Sequence, residues 1–278
     1  MRLIIAAGST KMGWILMEGH EVKAHFLTKG FNPNYSDRQC LVETCRGASL
    51  PDEIQSVFYY GTGCGNEQNC QTIKEVFQQR FPNADIHVTH DLMAACHAAL
   101  GHESGIACIL GTGSNSCVYD GNEITGRAVS LGYLLGDEGS GKHIGGEMVR
   151  AYFYGFMPED LRLQFDAAYH LELKDFIGHL YHEGQPSRYL ATFARFAGEH
   201  QSHPFVRDLV KGCFKAFIEA FVLRFEEAQT MKVSFVGSVA FHFQDLLKES
   251  LADYGLVLGE VMPSPAEGLI RYYQSLPA

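Results

Sequence analysis

The chain of 278 residues lacks basic runs and long hydrophobic runs. It has 22 Lys and Arg against 32 Asp and Glu, a formal net charge of -10, and no cationic segment. A protein that binds nucleic acid or an anionic membrane surface needs such a segment to neutralise phosphates. No apolar run reaches the length of a membrane-spanning helix, and the apolar start of the chain is too short for a signal peptide. We expect a cytoplasmic protein without a nucleic-acid or membrane partner.

The cysteines and histidines lack the spacings that are typical of metal sites. Eight cysteines contain no C-x-x-C pair, and thirteen histidines contain no H-x-x-x-H pair. Cys108 lies in an apolar stretch and Cys96 in an alanine-rich one, where a reduced thiol acts as a small hydrophobic side chain. We expect free thiols and no structural metal.

One strand-turn-strand pattern occurs twice, at residues 3–17 and 105–119. In a single register Thr10 matches Thr112, Glu18-Gly19-x-Glu21 matches Asp120-Gly121-x-Glu123, and Gly30 matches Gly132. Each copy has a turn of small residues, which leaves backbone N–H groups uncovered and adds hydroxyl donors. A single turn of this kind is typical of an ordinary hairpin. The duplication favours two related domains that grip a polyphosphate from both sides.

Hydrophobic spacing predicts the remaining elements of an α/β fold. After the first meander we expect a strand at 57–61, a helix at 67–80, a strand at 86–89 and a helix at 91–100. The second half adds helices at 138–154, 159–170, 173–181, 189–200 and 205–227, a strand at 231–236, a helix at 239–254, a strand at 256–258 and a helix from 265. The short polar segment 101–104 is the expected domain boundary.

Four segments together resemble a known family. They are Ala7-Gly8-Ser9-Thr10-Lys11, Gly111-Thr112-Gly113-Ser114-Asn115-Ser116, Leu131 to Gly141 with its Gly136-Asp137-Glu138-Gly139-Ser140-Gly141 end, and Phe235-Val236-Gly237-Ser238-Val239-Ala240. The chain resembles, over nearly its whole length, the N-acetylglucosamine kinase-like group of the BadF/BadG/BcrA/BcrD ATPase family. That family belongs to the superfamily of sugar kinases, actin and heat-shock chaperones.

The resemblance implies a fold and an activity. It implies two ribonuclease H-like (actin-like ATPase) domains, residues 1–103 and 104–263, with an ATP cleft between them and residues 264–278 packed on the first. It further implies phosphorylation of a sugar hydroxyl by ATP with Mg²⁺, with N-acetylglucosamine and its 6-hydroxyl as the expected substrate. A homodimer is a further expectation from the resemblance.

The resemblance also assigns roles to residues. Asp91 takes the place of the catalytic base, although an aspartate between a strand and a helix is also a common N-cap. The ATP-binding residues by resemblance are Gly8, Ser9, Thr10, Lys11, Gly111, Thr112, Gly113, Ser114, Gly237 and Ser238. For Lys11 the alternative is a solvated lysine in a turn.

The sugar site by resemblance includes Asn32, Asn115, Asp137 and Glu138, with Asp137 holding Mg²⁺ through water. Asparagine both donates and accepts hydrogen bonds to sugar hydroxyls, but it also makes ordinary turns. The two acids stand before a predicted helix, where capping is the alternative role.

Two departures from the family leave alternatives open. Ala6 stands where the family usually has an aspartate that helps hold hydrated Mg²⁺, and loss of that charge slows phosphoryl transfer. Lys142 and His143 replace small apolar residues, and the sequence suggests no role for them. The alternatives are a catalytically weak regulator that binds sugar or nucleotide, and an ATPase that activates a redox enzyme.

Overall fold

The computed structural model describes residues 1–182 and 185–277, and these form two five-stranded sheets. The first sheet contains β1 (Arg2–Ala7), β2 (Lys11–Glu18), β3 (Glu21–Lys29), β4 (Ser56–Gly61) and β5 (Asp85–His90). The second contains β6 (Gly105–Leu110), β7 (Ser114–Tyr119), β8 (Ile124–Arg127), β9 (Val233–Val236) and β10 (Leu258–Met262).

The two sheets have the same topology. Their strand orders are β3-β2-β1-β4-β5 and β10-β9-β6-β7-β8. In each sheet three consecutive strands form an antiparallel meander, and the first of them also pairs in parallel with the fourth strand. The fifth strand pairs in parallel with the fourth. The duplication and the α/β fold predicted from the sequence are therefore confirmed.

Thirteen α-helices complete the described part of the chain. They are α1 (Arg38–Gly47), α2 (Glu67–Arg80), α3 (Asp91–Ala99), α4 (Gly132–Leu135), α5 (Gly141–Phe153), α6 (Glu159–Tyr169), α7 (Leu173–His182), α8 (Pro186–Thr192), α9 (Ala194–Glu199), α10 (Pro204–Phe217), α11 (Ser238–His242), α12 (Gln244–Ala252) and α13 (Ala266–Ser275). Helix α1 was not predicted, because it is mostly polar and only Leu41 and Cys45 of its residues are buried.

Most differences from the predicted elements lie in the second half. Helix α5 begins at Gly141 rather than at 138, because Asp137 and Gly139 adopt positive φ angles of 64° and 71°. The single helix predicted at 189–200 is two helices. Helix α10 ends at Phe217 and continues as a π-helical turn, and the helix predicted at 239–254 is interrupted at Phe243. The strand predicted at 256–258 instead spans β10.

The chain divides into two compact units. The first contains Met1–His102 and the segment from Ser264, and the second contains Glu103–Pro263. Each has its own hydrophobic core, which includes the fully buried Trp14 in the first and Phe217 in the second. Within the first unit, helix α13 packs against α3.

The eight cysteines are all free, and Cys96 and Cys108 are fully buried, as small hydrophobic side chains would be. Within residues 1–182 and 185–277, none of the helices combines the length and the apolar character needed to cross a membrane.

Candidate functional site

The first small-residue turn joins β1 to β2 and is held by backbone hydrogen bonds. The Gly8 N–H donates to the Lys11 carbonyl at 2.9 Å, and the Gly30 N–H donates to the Thr10 carbonyl at 3.0 Å. At its start, the Ala7 carbonyl accepts from the Thr62 N–H at 2.9 Å. The turn is therefore fixed by segments that follow β3 and β4, while Ser9 and Lys11 remain exposed.

Asn32 lies against this first turn. Its side chain is buried, its Nδ2 donates to Ser9 Oγ at 3.3 Å, and its Oδ1 accepts from the Asn34 N–H at 3.0 Å. The asparagine thus makes a turn of its own loop, which is the alternative that the sequence left open. Contact with a sugar hydroxyl stays a prediction.

Asp91 is the first residue of α3, directly after β5. The N-cap of this helix is His90, whose Nδ1 accepts from the Met93 N–H at 3.3 Å. The capping role considered for Asp91 is therefore wrong by one residue. Asp91 is half-buried, and it lies close enough to Cys64 to affect that thiol. Burial, with smaller contributions from Cys70 and Asp91, raises the pKa of Cys64 to about 12.

The second small-residue turn joins β6 to β7 and is held by the start of α5. The Gly111 N–H donates to the Gly113 carbonyl at 3.0 Å, which closes the turn. The Gly141 N–H donates to the Gly111 carbonyl at 2.8 Å, and the Lys142 N–H donates to the Thr112 carbonyl at 3.2 Å. The two predicted motifs, residues 111–116 and 136–141, are thus in direct contact.

The carboxylate of Asp137 lies at this second turn. Its Oδ1 accepts from the Ser114 N–H at 3.1 Å, and a Cβ on Gly113 would lie only 2.9 Å from the same oxygen. Glycine at 113 therefore makes room for the carboxylate. Burial raises the pKa of Asp137, while the Ser114 N–H and the charge of Lys142 act in the opposite direction.

Three side chains from the first turn of α5 hold the loop that carries Asp137. Ser140 is the N-cap, since its Oγ accepts from the His143 N–H, and that Oγ also donates to the Asp137 carbonyl at 2.6 Å. Lys142 Nζ donates to the Gly136 carbonyl at 3.0 Å, and His143 Nδ1 accepts from the Gly139 N–H at 3.0 Å.

These contacts correct one sequence hypothesis and fill one gap. Asp137 and the half-buried Glu138 do not cap α5, because Ser140 does. Lys142 and His143, which the sequence left without a role, support the loop. The available signal was a serine directly before an apolar helical pattern, which is typical of an N-cap.

Gly237 places a third turn beside the second. Its φ is 141°, and a Cβ there would lie 2.1 Å from the Leu110 carbonyl oxygen, so only glycine fits. Its N–H donates to the Met262 carbonyl at 2.8 Å, and Ser238 begins α11. The second unit therefore brings together residues 111–114, 136–141 and 237–238.

Asn115 lies in β7, and its Oδ1 accepts from the N–H of the adjacent Ser116 at 2.9 Å. Among residues 1–182 and 185–277, its side chain makes no hydrogen bond to a residue distant in the chain, and its proposed contact with sugar stays a prediction.

The second turn fits a bound phosphate with its cation. Ser114 Oγ is buried and, as far as the described chain shows, has no hydrogen-bond partner. A buried hydroxyl without a partner is costly unless a ligand uses it. No cluster of three or more His, Cys, Asp or Glu side chains suited to a metal occurs in the described ranges. Mg²⁺ commonly uses one or two carboxylates together with phosphates and water, so Asp137 alone is compatible with it.

Two five-stranded sheets of equal topology, each with a small-residue turn after its first strand, define the fold class of sugar kinases and actin-like ATPases. A solved candidate N-acetylglucosamine kinase from Porphyromonas gingivalis is 38% identical, covers 99% of both chains and superposes with a TM-score of 0.93. The chain belongs to the N-acetylglucosamine kinase-like family of ATP-dependent sugar kinases.

Two further relatives are more distant. A candidate N-acetylglucosamine kinase structure from Chromobacterium violaceum is 17% identical over 99% of both chains, with a TM-score of 0.74, and shares the fold. The N-acetylmuramic acid/N-acetylglucosamine kinase of Clostridium acetobutylicum is 27% identical over 154 residues, which are 54% of this chain. The match spans only 50% of that curated relative. No family model matches the chain.

Proposed function

We propose that the protein transfers the γ-phosphoryl group of ATP to the 6-hydroxyl of N-acetylglucosamine. The observation that carries this proposal is the second turn, where a buried carboxylate, a glycine backbone and a buried hydroxyl meet, the hydroxyl having no hydrogen-bond partner among the described residues. Phosphoryl transfer depends mainly on positioning and on stabilising charge, and this turn supplies groups for both. The names of the relatives support the choice of sugar.

In this proposal Asp91 is the general base. Its carboxylate accepts the proton of the sugar hydroxyl while that oxygen forms a bond to the γ-phosphorus and the bond to ADP breaks. The position at the start of α3 suits this role, because the helix N-terminus favours the ionised carboxylate and holds its orientation.

The remaining roles follow the three turns and the side chains beside them. Residues 8–11, 111–114 and 237–238 bind the nucleotide through backbone N–H groups and hydroxyls. Asn32, Asn115 and Glu138 bind the sugar, and Asp137 contacts both the sugar and the cation. Bound Mg²⁺ would neutralise charge on the phosphates, and Asp137 would hold it through water.

The proposal is tested by ADP release, coupled to NADH oxidation, over a panel of hexoses and amino sugars. We expect turnover with N-acetylglucosamine and a product whose phosphate is at the 6-position by ³¹P and ¹H NMR. If glucose were the only sugar that supports ADP release, the proposed substrate would be glucose instead of N-acetylglucosamine. Nucleotide binding without turnover on any sugar would overturn the kinase in favour of a regulator, the alternative that Ala6 motivates.

A homodimer is proposed on the family resemblance alone. Sedimentation velocity at several protein concentrations tests it, and a single monomeric species throughout would contradict it.

A further inference from the structure

Lys142 places a cation at the second turn. Its backbone N–H donates to the Thr112 carbonyl at 3.2 Å, so the residue lies directly against the turn. Its side chain is half-buried, and its Nζ donates to the Gly136 carbonyl, in the loop before α5, at 3.0 Å. The ammonium group is therefore held at the loop that carries Asp137.

The groups at the second turn suit an anionic ligand. Asp137 Oδ1 is already paired with the Ser114 N–H, and the Lys142 charge acts on the same carboxylate. Ser114 is 5% exposed, and its Oγ has no hydrogen-bond partner within the described chain. An ammonium carries three N–H donors, and the Gly136 carbonyl takes one of them. A ligand with several acceptor oxygens could use the other donors together with the serine hydroxyl.

We propose that Lys142 is a phosphate-binding residue, which contacts the β- and γ-phosphates of the nucleotide at the second turn. The inference rests on the proposed function, which it deepens. The Lys142 ammonium supplies part of the positive charge that the phosphates require, and ATP therefore binds appreciably without Mg²⁺.

A purely structural Lys142 would behave differently. If it only holds the Gly136 carbonyl, its loss would loosen the loop and weaken the binding of AMP, ADP and ATP to the same extent. If Lys142 contacts the terminal phosphates, its loss weakens the binding of ATP and ADP but leaves the affinity for AMP almost unchanged.

The test is isothermal titration calorimetry of AMP, ADP and ATP, in EDTA and in excess Mg²⁺. Hydrogen bonds between charged groups are stronger than those between neutral groups, so Lys142→Met should lower the affinity for ATP at least about tenfold in EDTA. AMP affinity should change less than about twofold, and the loss for ATP should shrink in Mg²⁺. Lys142→Arg, which keeps the charge, should restore most of the ATP affinity. Lys215→Met, which removes an exposed lysine of α10 in the same unit, is the matched control and should match the wild type.

The outcomes separate this inference from the proposed function. Equal losses for the three nucleotides, or no loss for ATP, overturn the phosphate contact even if the protein phosphorylates its sugar. If the variant loses affinity for ATP and ADP but not for AMP, and the protein phosphorylates no sugar, the phosphate contact is supported and the proposed kinase activity is overturned. A wild type that binds no nucleotide overturns both. Lys142→Gln provides a second neutral variant, and circular dichroism establishes that each variant is folded.

Discussion

At the residue scale, a substitution at Asp91 tests its catalytic role without removing the cap of α3. His90 caps α3, so replacement of the Asp91 carboxylate leaves the cap in place. We predict that Asp91→Asn lowers kcat at least about a hundredfold, the usual contribution of a general base, with little change in nucleotide affinity. Steady-state ADP release and calorimetry measure the two quantities. Asp85→Asn, at the exposed start of β5, is the control with normal turnover. Retained turnover in the Asp91 variant would exclude it as the base.

Ala6 is the residue-scale departure that bears on Mg²⁺. It is half-buried in β1, opposite Gly13 and Tyr60. We predict that Ala6→Asp lowers the Mg²⁺ concentration for half-maximal activity, because one more fixed carboxylate opposes the ion's reluctance to lose water. An unpaired carboxylate there is destabilising, so Mg²⁺ should raise the Tm of this variant more than that of the wild type.

Ala6→Asn is the isosteric control without charge, and its Mg²⁺ titration should match that of the wild type. If Ala6→Asp also matches the wild type while active, Asp137 alone carries the ion and the missing carboxylate has no consequence.

At the element scale, the first turn of α5 organises the second turn and the Asp137 loop. Ser140 is fully buried and serves both as N-cap and as donor to the Asp137 carbonyl. We predict that Ser140→Ala destabilises the protein by about 1 kcal/mol or more, the usual cost of a lost N-cap. Nucleotide affinity should fall as well, since the loop loses its anchor.

Asn66→Ala is the matched control, because Asn66 caps α2 in the other unit through a 2.8 Å bond to the Asn69 N–H. The Asn66→Ala variant should have a lower Tm but an unchanged affinity for nucleotide. Chemical denaturation and calorimetry on both variants give the comparison. Equal effects on nucleotide binding would mean that the cap of α5 acts only through general stability.

At the scale of the whole molecule, half-buried histidines in both units oppose folding in acid. His97 lies in α3, where its Nδ1 is 2.9 Å from Tyr60 Oη, which in turn is 2.7 Å from Tyr273 Oη of α13. Burial, helped by nearby His102, lowers the pKa of His97 to about 4. In the second unit, burial also lowers the pKa of His143.

Between pH 6.5 and 4 these two histidines bind more protons in the unfolded chain than in the folded one, so their contribution lowers the free energy of unfolding as the pH falls. For His97 the full loss is about 3 kcal/mol, reached only below its folded pKa. We predict that His97→Gln lowers stability at neutral pH, since it removes a buried contact, and flattens the decline between pH 6.5 and 4. Urea denaturation across this range measures the slope. The control His20→Gln, at the exposed β2–β3 turn, should keep the wild-type slope, and an unchanged slope in His97→Gln would contradict the assignment.

Local patterns were sufficient for the meanders, their turns and α2, whose predicted range 67–80 agrees with the structure. These features depend on alternation, on glycine and on apolar spacing, all of which are written in neighbouring residues. The structure interrupts the helices predicted at 189–200 and 239–254 at Phe193 and Phe243, two buried residues of the second core. Apolar spacing alone does not distinguish a bend from a continuous helix.

By itself the sequence determined the duplicated strand-turn-strand pattern and the glycine turns, because each is a property of short segments, and the family resemblance supplied the candidate carboxylates. Only the tertiary structure decided which groups meet. It assigned the caps to His90 and Ser140 rather than to the adjacent acids, and it placed the Asp137 carboxylate on the Ser114 N–H across 23 residues of chain. It also brought the Lys142 ammonium to the Gly136 carbonyl. A hydrogen bond depends on distance and direction in space, and spacing along the chain specifies neither once the backbone leaves regular helix or strand.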